Sequence, residues 1–165
     1  MGGVTIRTDR LVLRPFALAD EDTLFAIFRD DGVRRFLLDG HLVDRDWVRA
    51  EIEWSMRRFA EGGLGICLAR EPIGQEPIGF AGFRPFRDPP VLELLYGLYP
   101  TFWGKGLASE MSRAMIALAF DRHRLDVIDT AVDELPWPRC AFSSVSDSPR
   151  SASRPAPLAR RSTFA

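Results

Sequence analysis

Two glycines flank a lysine at Trp103-Gly104-Lys105-Gly106, directly after an apolar strand-like run that ends at Pro100 and directly before an amphipathic helix. A strand, a glycine turn and a helix start in that order make an anion site. Unpaired backbone N–H groups converge there, and the helix macrodipole favours negative charge. The missing side chains at Gly104 and Gly106 let a diphosphate come close to the backbone. Lys105 adds positive charge and Ser109 a hydroxyl in the first turn. The string is neither the phosphate loop of nucleotide triphosphatases, which needs a Lys-Ser/Thr pair, nor the dinucleotide fingerprint, which needs a third glycine. His41 and His123 have no triad or ligand partner at a recognisable spacing, and Cys67 and Cys140 form neither a disulfide framework nor a metal set. No metal is expected.

The elements that must hold this turn are legible in order. Leu11 and Leu13 alternate with Val12 and Arg14 in a short strand ended by Pro15. Ala19-Asp20-Glu21-Asp22 places carboxylates at a helix start, with Leu24, Ile27 and Phe28 as its apolar face. Asp44 or Asp46 caps a second helix, in which Val48, Ile52, Met56 and Phe59 recur and which Gly62-Gly63 stops. Gly65 to Arg70 and Pro77 to Phe83 read as antiparallel strands around a Pro72/Gly74 turn, with close packing expected at Gly79, Ala81 and Gly82. Val91 to Tyr99 is the strand before the turn. Leu107, Met111, Ala114, Met115 and Leu118 recur at helical spacing after it. Leu125 to Val132 is expected to pair in parallel with Val91 to Tyr99, closing a right-handed βαβ unit. Trp47, Trp54, Tyr96 and Tyr99 are read as packing residues.

At 165 residues the chain can bury one domain's core, and 22 basic against 23 acidic side chains leave it near neutral. Neither nucleic acid nor an anionic membrane is therefore expected as a partner. No apolar run approaches the roughly 20 residues that span a bilayer. The first residues lack a signal peptide's charged and apolar regions, and Ile6 stands where a myristoylation signal needs Ser or Thr. A cytoplasmic location is the default.

The string PTFWGKGLASE resembles the acetyl-CoA-binding motif of the GNAT superfamily of N-acetyltransferases, with Gly104 and Gly106 at its glycine positions. Thr101 stands where Arg or Gln is usual, a departure frequent in the RimJ/RimL-like branch, where W-G-K-G-x-A-x-E is a familiar form. The opening Thr8-Asp9-Arg10-Leu11, continuing to Arg14-Pro15, and the Ile78-Gly79 to Gly82-Phe83 pattern are similar to that branch too. The resemblance implies an α+β fold, an α/β/α sandwich on a mixed, mostly antiparallel sheet with a central splayed parallel pair. It implies an N-acetyltransferase that passes the acetyl group of acetyl-CoA to a primary amine, a protein N-terminus or a small amine, by direct attack. A backbone N–H near Leu98 or Tyr99 would face the thioester oxygen, and the pyrophosphate would lie on the N–H groups of Trp103, Gly104, Lys105, Gly106, Leu107 and Ala108, beside Ser109. Glu93, on the strand bordering the acceptor, is the candidate base. Glu110, in the helix's first turn, is read as structural.

The resemblance covers Thr8 to Glu134 and then stops, giving residues 1–134 as an acetyltransferase domain and 135–165 as an irregular tail rich in Ser, Arg, Pro and Ala. Family members continue with N-x-x-S-x-x-x-L-E-K-L-G-F, a helix and two strands. Taking the third base of each codon between Leu135 and Ser148 with the first two of the next, permitted wobble bases can spell a peptide that contains MASVRILERLGF. A frameshift near Leu135 is the expectation, and reading the coding DNA of codons 130 to 140 in independent isolates tests it. Without the last strands, the strand Leu125 to Val132 would expose an edge. An inactive acyl-CoA-binding remnant and a strand-edge protein-interaction domain therefore stay open beside the enzyme.

Overall fold

Alternation along the strands and stripes along the helices sort this chain's apolar residues onto two sides of one sheet. The computed structural model describes residues 4–37, 40–74, 76–86 and 91–123. In chain order these form β1 (Ile6–Arg7), β2 (Val12–Pro15), α1 (Glu21–Arg29), α2 (Asp31–Leu37), α3 (Arg45–Ala60), β3 (Ile66–Arg70), β4 (Pro77–Phe86), β5 (Val91–Leu98) and α4 (Leu107–His123). The five described strands lie in the order β1-β2-β3-β4-β5, each antiparallel to its neighbour. This is the α+β sandwich expected. The strand Leu125 to Val132, its parallel pairing and the segment after Glu134 lie outside the described residues.

On one face, Leu24, Ile27 and Phe28 of α1 and Val48 and Ile52 of α3 pack with Ile66, Leu68 and Phe80. Phe28 and Phe80 stack at 4.9 Å between ring centroids, and Trp47 meets Phe28 edge-on at 5.2 Å, so Trp47 is a packing residue. On the other face, Leu107, Met111, Met115 and Ala119 of α4 cover Ala69, Ala81, Phe83, Leu94 and Leu98. The close packing expected among the small residues of β4 is present. A Cβ on Gly82 would overlap the backbone of Gly65 and Ile66, and one on Gly79 the carbonyl of Gly97.

Three local outcomes differ from the sequence expectation or resolve it. Asp44, not Asp46, caps α3: its side chain accepts the Trp47 N–H at 2.8 Å. A separate helix, α2, follows α1 because Asp30 leaves the helical conformation and its side chain accepts the N–H groups of Gly32 and Val33. That is an N-cap placed one residue after the previous helix ends. The buried stripe of α3 is also rotated from the expected one. Met56 is exposed, whereas Glu51 and Ser55 are buried. Ser55 Oγ donates to the Ile66 carbonyl at 3.1 Å and accepts the Ile66 N–H at 2.8 Å, so a hydroxyl takes the place of an apolar contact and ties helix to sheet.

Candidate active site

The hydrogen-bond phase of β5 decides which of its amides face the rest of the site. Tyr99 N–H donates to the Ile78 carbonyl at 3.0 Å, which makes Ile78 and Tyr99 a hydrogen-bonded pair. Antiparallel pairs alternate, so Glu93, Leu95 and Gly97 also turn their backbone groups to β4. Leu94, Tyr96 and Leu98 turn theirs to the opposite edge. Of the two amides expected beside the thioester, Tyr99's is therefore corrected: it is committed to β4, and only Leu98's faces the outer edge. The Leu98 carbonyl accepts the indole Nε1–H of Trp103 at 2.8 Å, pinning the following turn to the strand.

That turn begins with a single 3₁₀ turn, Pro100–Phe102, whose end is closed by Trp103 N–H donating to the Pro100 carbonyl at 3.1 Å. The Trp103 amide is therefore spent inside the turn, a second correction to the expected diphosphate set. Gly104 and Gly106 both have the positive φ that glycine adopts freely, +72° and +75°. Among the described residues, apart from its chain neighbours, a Cβ added at Gly104 would meet no atom within 4 Å, so the space in front of its backbone is open to them. The first helical bond of α4 runs from Glu110 N–H to the Gly106 carbonyl at 3.1 Å. The amides of Leu107, Ala108 and Ser109 precede it and have no partner within the helix. They make up the positive end of the macrodipole.

The loop between β1 and β2 braces this turn from about a hundred residues away in the sequence. Thr8 Oγ1 donates to Glu110 Oε1 at 2.6 Å, and the Arg10 N–H donates to the same oxygen at 2.9 Å. Arg10 Nε donates to Glu110 Oε2 at 2.7 Å, with Nη2 2.6 Å from that oxygen, and Nη1 reaches the Lys105 carbonyl at 2.8 Å. Burial pushes the Glu110 carboxyl up, but the bonds from Thr8 and Arg10 outweigh it and hold the group below its usual value. Lys105 lies over the Phe102 ring at 5.1 Å. Glu110 is structural, as expected; Arg10 and Thr8 were missed, because their partner lies about a hundred residues away.

On the opposite face of β5, Glu93 is buried, 8 % exposed, and directly across from Arg84 of β4. Residues so paired project to one face of the sheet. Arg84 Nη2 is 2.9 Å from Glu51 Oε1 of α3, and its guanidinium lies 5.9 Å from the Trp54 ring. Burial raises the Glu51 carboxyl, with Arg84 opposing. Two buried carboxylates thus flank one arginine. Glu51 had a signal in the sequence, an acid three residues after Val48 on an otherwise apolar stripe. Tyr99 packs half-buried against the α1–α3 core, and burial, then Asp30 and Glu76, raise its hydroxyl. Tyr96 points to the α4 side and is exposed. The Cys67 thiol is pushed up to about 12 by burial, which removes it as a nucleophile near neutrality. His41 is exposed in a loop, and Cys140 lies outside the described residues.

An antiparallel sheet covered by helices on both faces, with an open two-glycine turn leading from its last described strand into α4, is the arrangement that the sequence's resemblance to acyl-coenzyme-using α+β transferases implies. The family model of the acetyltransferase (GNAT) domain matches residues 10–135, and the chain belongs to that family. It is similar to an uncharacterized N-acetyltransferase of Bacillus licheniformis, 28% identical over 130 residues that cover 78% of this chain and 73% of the relative. Its fold matches an acetyltransferase from Agrobacterium tumefaciens at TM-score 0.68 and 26% identity, over 80% of this chain and 75% of that one. It also matches a RimL ribosomal alpha-N-protein acetyltransferase solved in complex with coenzyme A, at TM-score 0.63 and 16% identity, over 77% and 73%. By family the chain is an acyltransferase, and its reaction is acetyl transfer.

Proposed function

We propose that this chain moves the acetyl group of acetyl-CoA onto a primary amine by direct attack, a protein N-terminus or a small amine being the acceptor. The observation that carries the reading is the open turn at Gly104, with helix-start amides behind it that have no partner among the described residues. The diphosphate rests on the amides of Gly104, Lys105, Gly106, Leu107, Ala108 and Ser109. The pantetheine arm runs back along the outer edge of β5 and meets the backbone groups of Leu98, Tyr96 and Leu94. About thirteen bonds separate the inner phosphorus from the sulfur, the backbone equivalent of about four residues. That span brings the thioester toward the Glu93 end of the strand, so in this reading the Leu98 amide meets the pantetheine arm rather than the thioester oxygen. The coenzyme found in the RimL structure supports the choice of cosubstrate. Residues 1–134 form the acetyltransferase domain in this reading, and 135–165 lie beyond it.

In the reaction, Glu93 takes a proton from the acceptor ammonium, directly or through one water. The neutral nitrogen adds to the thioester carbon, the C–S bond breaks as the C–N double-bond character of the amide forms, and the proton that the nitrogen then sheds passes to the departing thiolate. An outward N–H of β5 polarises the carbonyl oxygen. Titration calorimetry with acetyl-CoA tests the binding step, and the absence of heat at high concentration refutes it. Thiol release across a panel of amines tests the chemistry. Binding without release under any acceptor would favour the inactive remnant instead.

A further inference from the structure

We propose that Arg10 is a positioning residue that locks the Lys105–Gly106 peptide in one of two orientations, and so aims the Gly106 amide at the coenzyme diphosphate; this rests on the acetyl-CoA reading above. A trans peptide is planar, with its C=O and N–H pointing in opposite directions. Arg10 Nη1 holds the Lys105 carbonyl at 2.8 Å, so the Gly106 N–H of the same peptide is turned away from Arg10. Gly106, at φ +75°, accepts positive and negative φ almost equally well and offers little resistance to a flip of that peptide. A flipped peptide would present a carbonyl oxygen where the bound state needs an N–H, opposing an anion instead of holding it.

The lock is itself anchored. Thr8 N–H donates to the Leu11 carbonyl at 2.9 Å and Leu11 N–H donates to Thr8 Oγ1 at 2.9 Å, closing the loop that carries Arg10. Glu110 then accepts hydrogen bonds from Thr8 Oγ1, the Arg10 N–H and the Nε/Nη2 edge of the guanidinium. Only a planar fork can bridge that carboxylate and the Lys105 carbonyl at once; a lysine ammonium supplies the charge without the bridge. Arg10 thus sits outside the coenzyme's footprint and acts through the turn.

The test pairs coenzyme A titration calorimetry with ¹⁵N relaxation dispersion of the coenzyme-free protein, on wild type, Arg10→Met and Arg10→Lys. Losing one hydrogen bond from a charged donor is expected to weaken coenzyme A binding by about tenfold in both variants. Both should also show microsecond-to-millisecond exchange at Gly106 that wild type lacks. Wild-type affinity in Arg10→Met, full rescue by Arg10→Lys, or weakened binding without exchange at Gly106 each overturns the lock; the last two would make Arg10 a simple charge. If Arg10→Met does not fold, Arg10→Lys alone decides by the same two readouts. A wild type that binds no coenzyme A while Arg10→Lys still shows Gly106 exchange overturns the function and keeps the lock; no binding and no exchange overturns both.

Discussion

Replacing Gly104 by Asp and, separately, by Asn isolates the charge that the turn is built to meet. The two side chains have nearly the same shape, and both tolerate the left-handed conformation better than other residues do. With φ at +72° and no atom of the described residues beyond its chain neighbours within 4 Å of the new Cβ, neither should collide with the described fold. Their thermal midpoints should therefore be nearly equal. A carboxylate about 4 Å from one phosphate charge costs about 1 kcal/mol in bulk water and about 4 kcal/mol at an effective dielectric of 20. Those limits correspond to about fivefold and about a thousandfold in Kd. Gly104 is exposed, so the lower half of the range applies, about tenfold to a hundredfold between Asp and Asn at low salt. The gap should narrow with added salt as the Debye length shrinks to about 10 Å at 0.1 M. Calorimetry with coenzyme A at two ionic strengths reads both effects. Equal affinity for the Asp and Asn variants would refute the placement of the diphosphate at this turn.

Glu93→Gln should lower kcat by about a hundredfold or more while leaving coenzyme A affinity intact; an unchanged kcat assigns Glu93 to the Arg84 pairing alone. Ser55→Ala leaves the buried N–H and carbonyl of Ile66 without their hydroxyl partner and should cost about 1–3 kcal/mol in urea unfolding, with no change in m. The Glu110 carboxyl is held below its usual 4.5, so its contribution to stability is present above that pH and is lost as pH falls through the lower folded value. Wild type should lose stability on acidification below about pH 4.5 more steeply than Glu110→Gln, and parallel curves in acid unfolding would contradict this.

Much of the site was legible because its information is local. Trp103-Gly104-Lys105-Gly106 carries the turn within four residues, and the stripe Leu107, Met111, Met115 announces α4 beside it. Asp44 was one of two caps that spacing alone allowed, and the Trp47 N–H settled it. What escaped depends on register or on distance. The commitment of the Tyr99 amide to β4 follows from the phase of a strand pair, which shifts by one residue without changing any local pattern. The helix α2, capped by Asp30, follows α1 where the sequence reading placed no element. Glu51 and Ser55 invert the simplest rule for a buried face, because Arg84 and the Ile66 backbone supply partners from other elements. Arg10 and Glu110 meet only after β2 and α4 have been folded together.

Cys67 lies second in β3 with none of its surface open to solvent, and burial pushes its thiol up to about 12. A disulfide reagent added to follow released coenzyme A should therefore leave this sulfur untouched for as long as the sheet stays closed. Its labelling, read on the peptide that contains it, becomes a clock for strand separation, running silently in the same cuvette as the turnover assay.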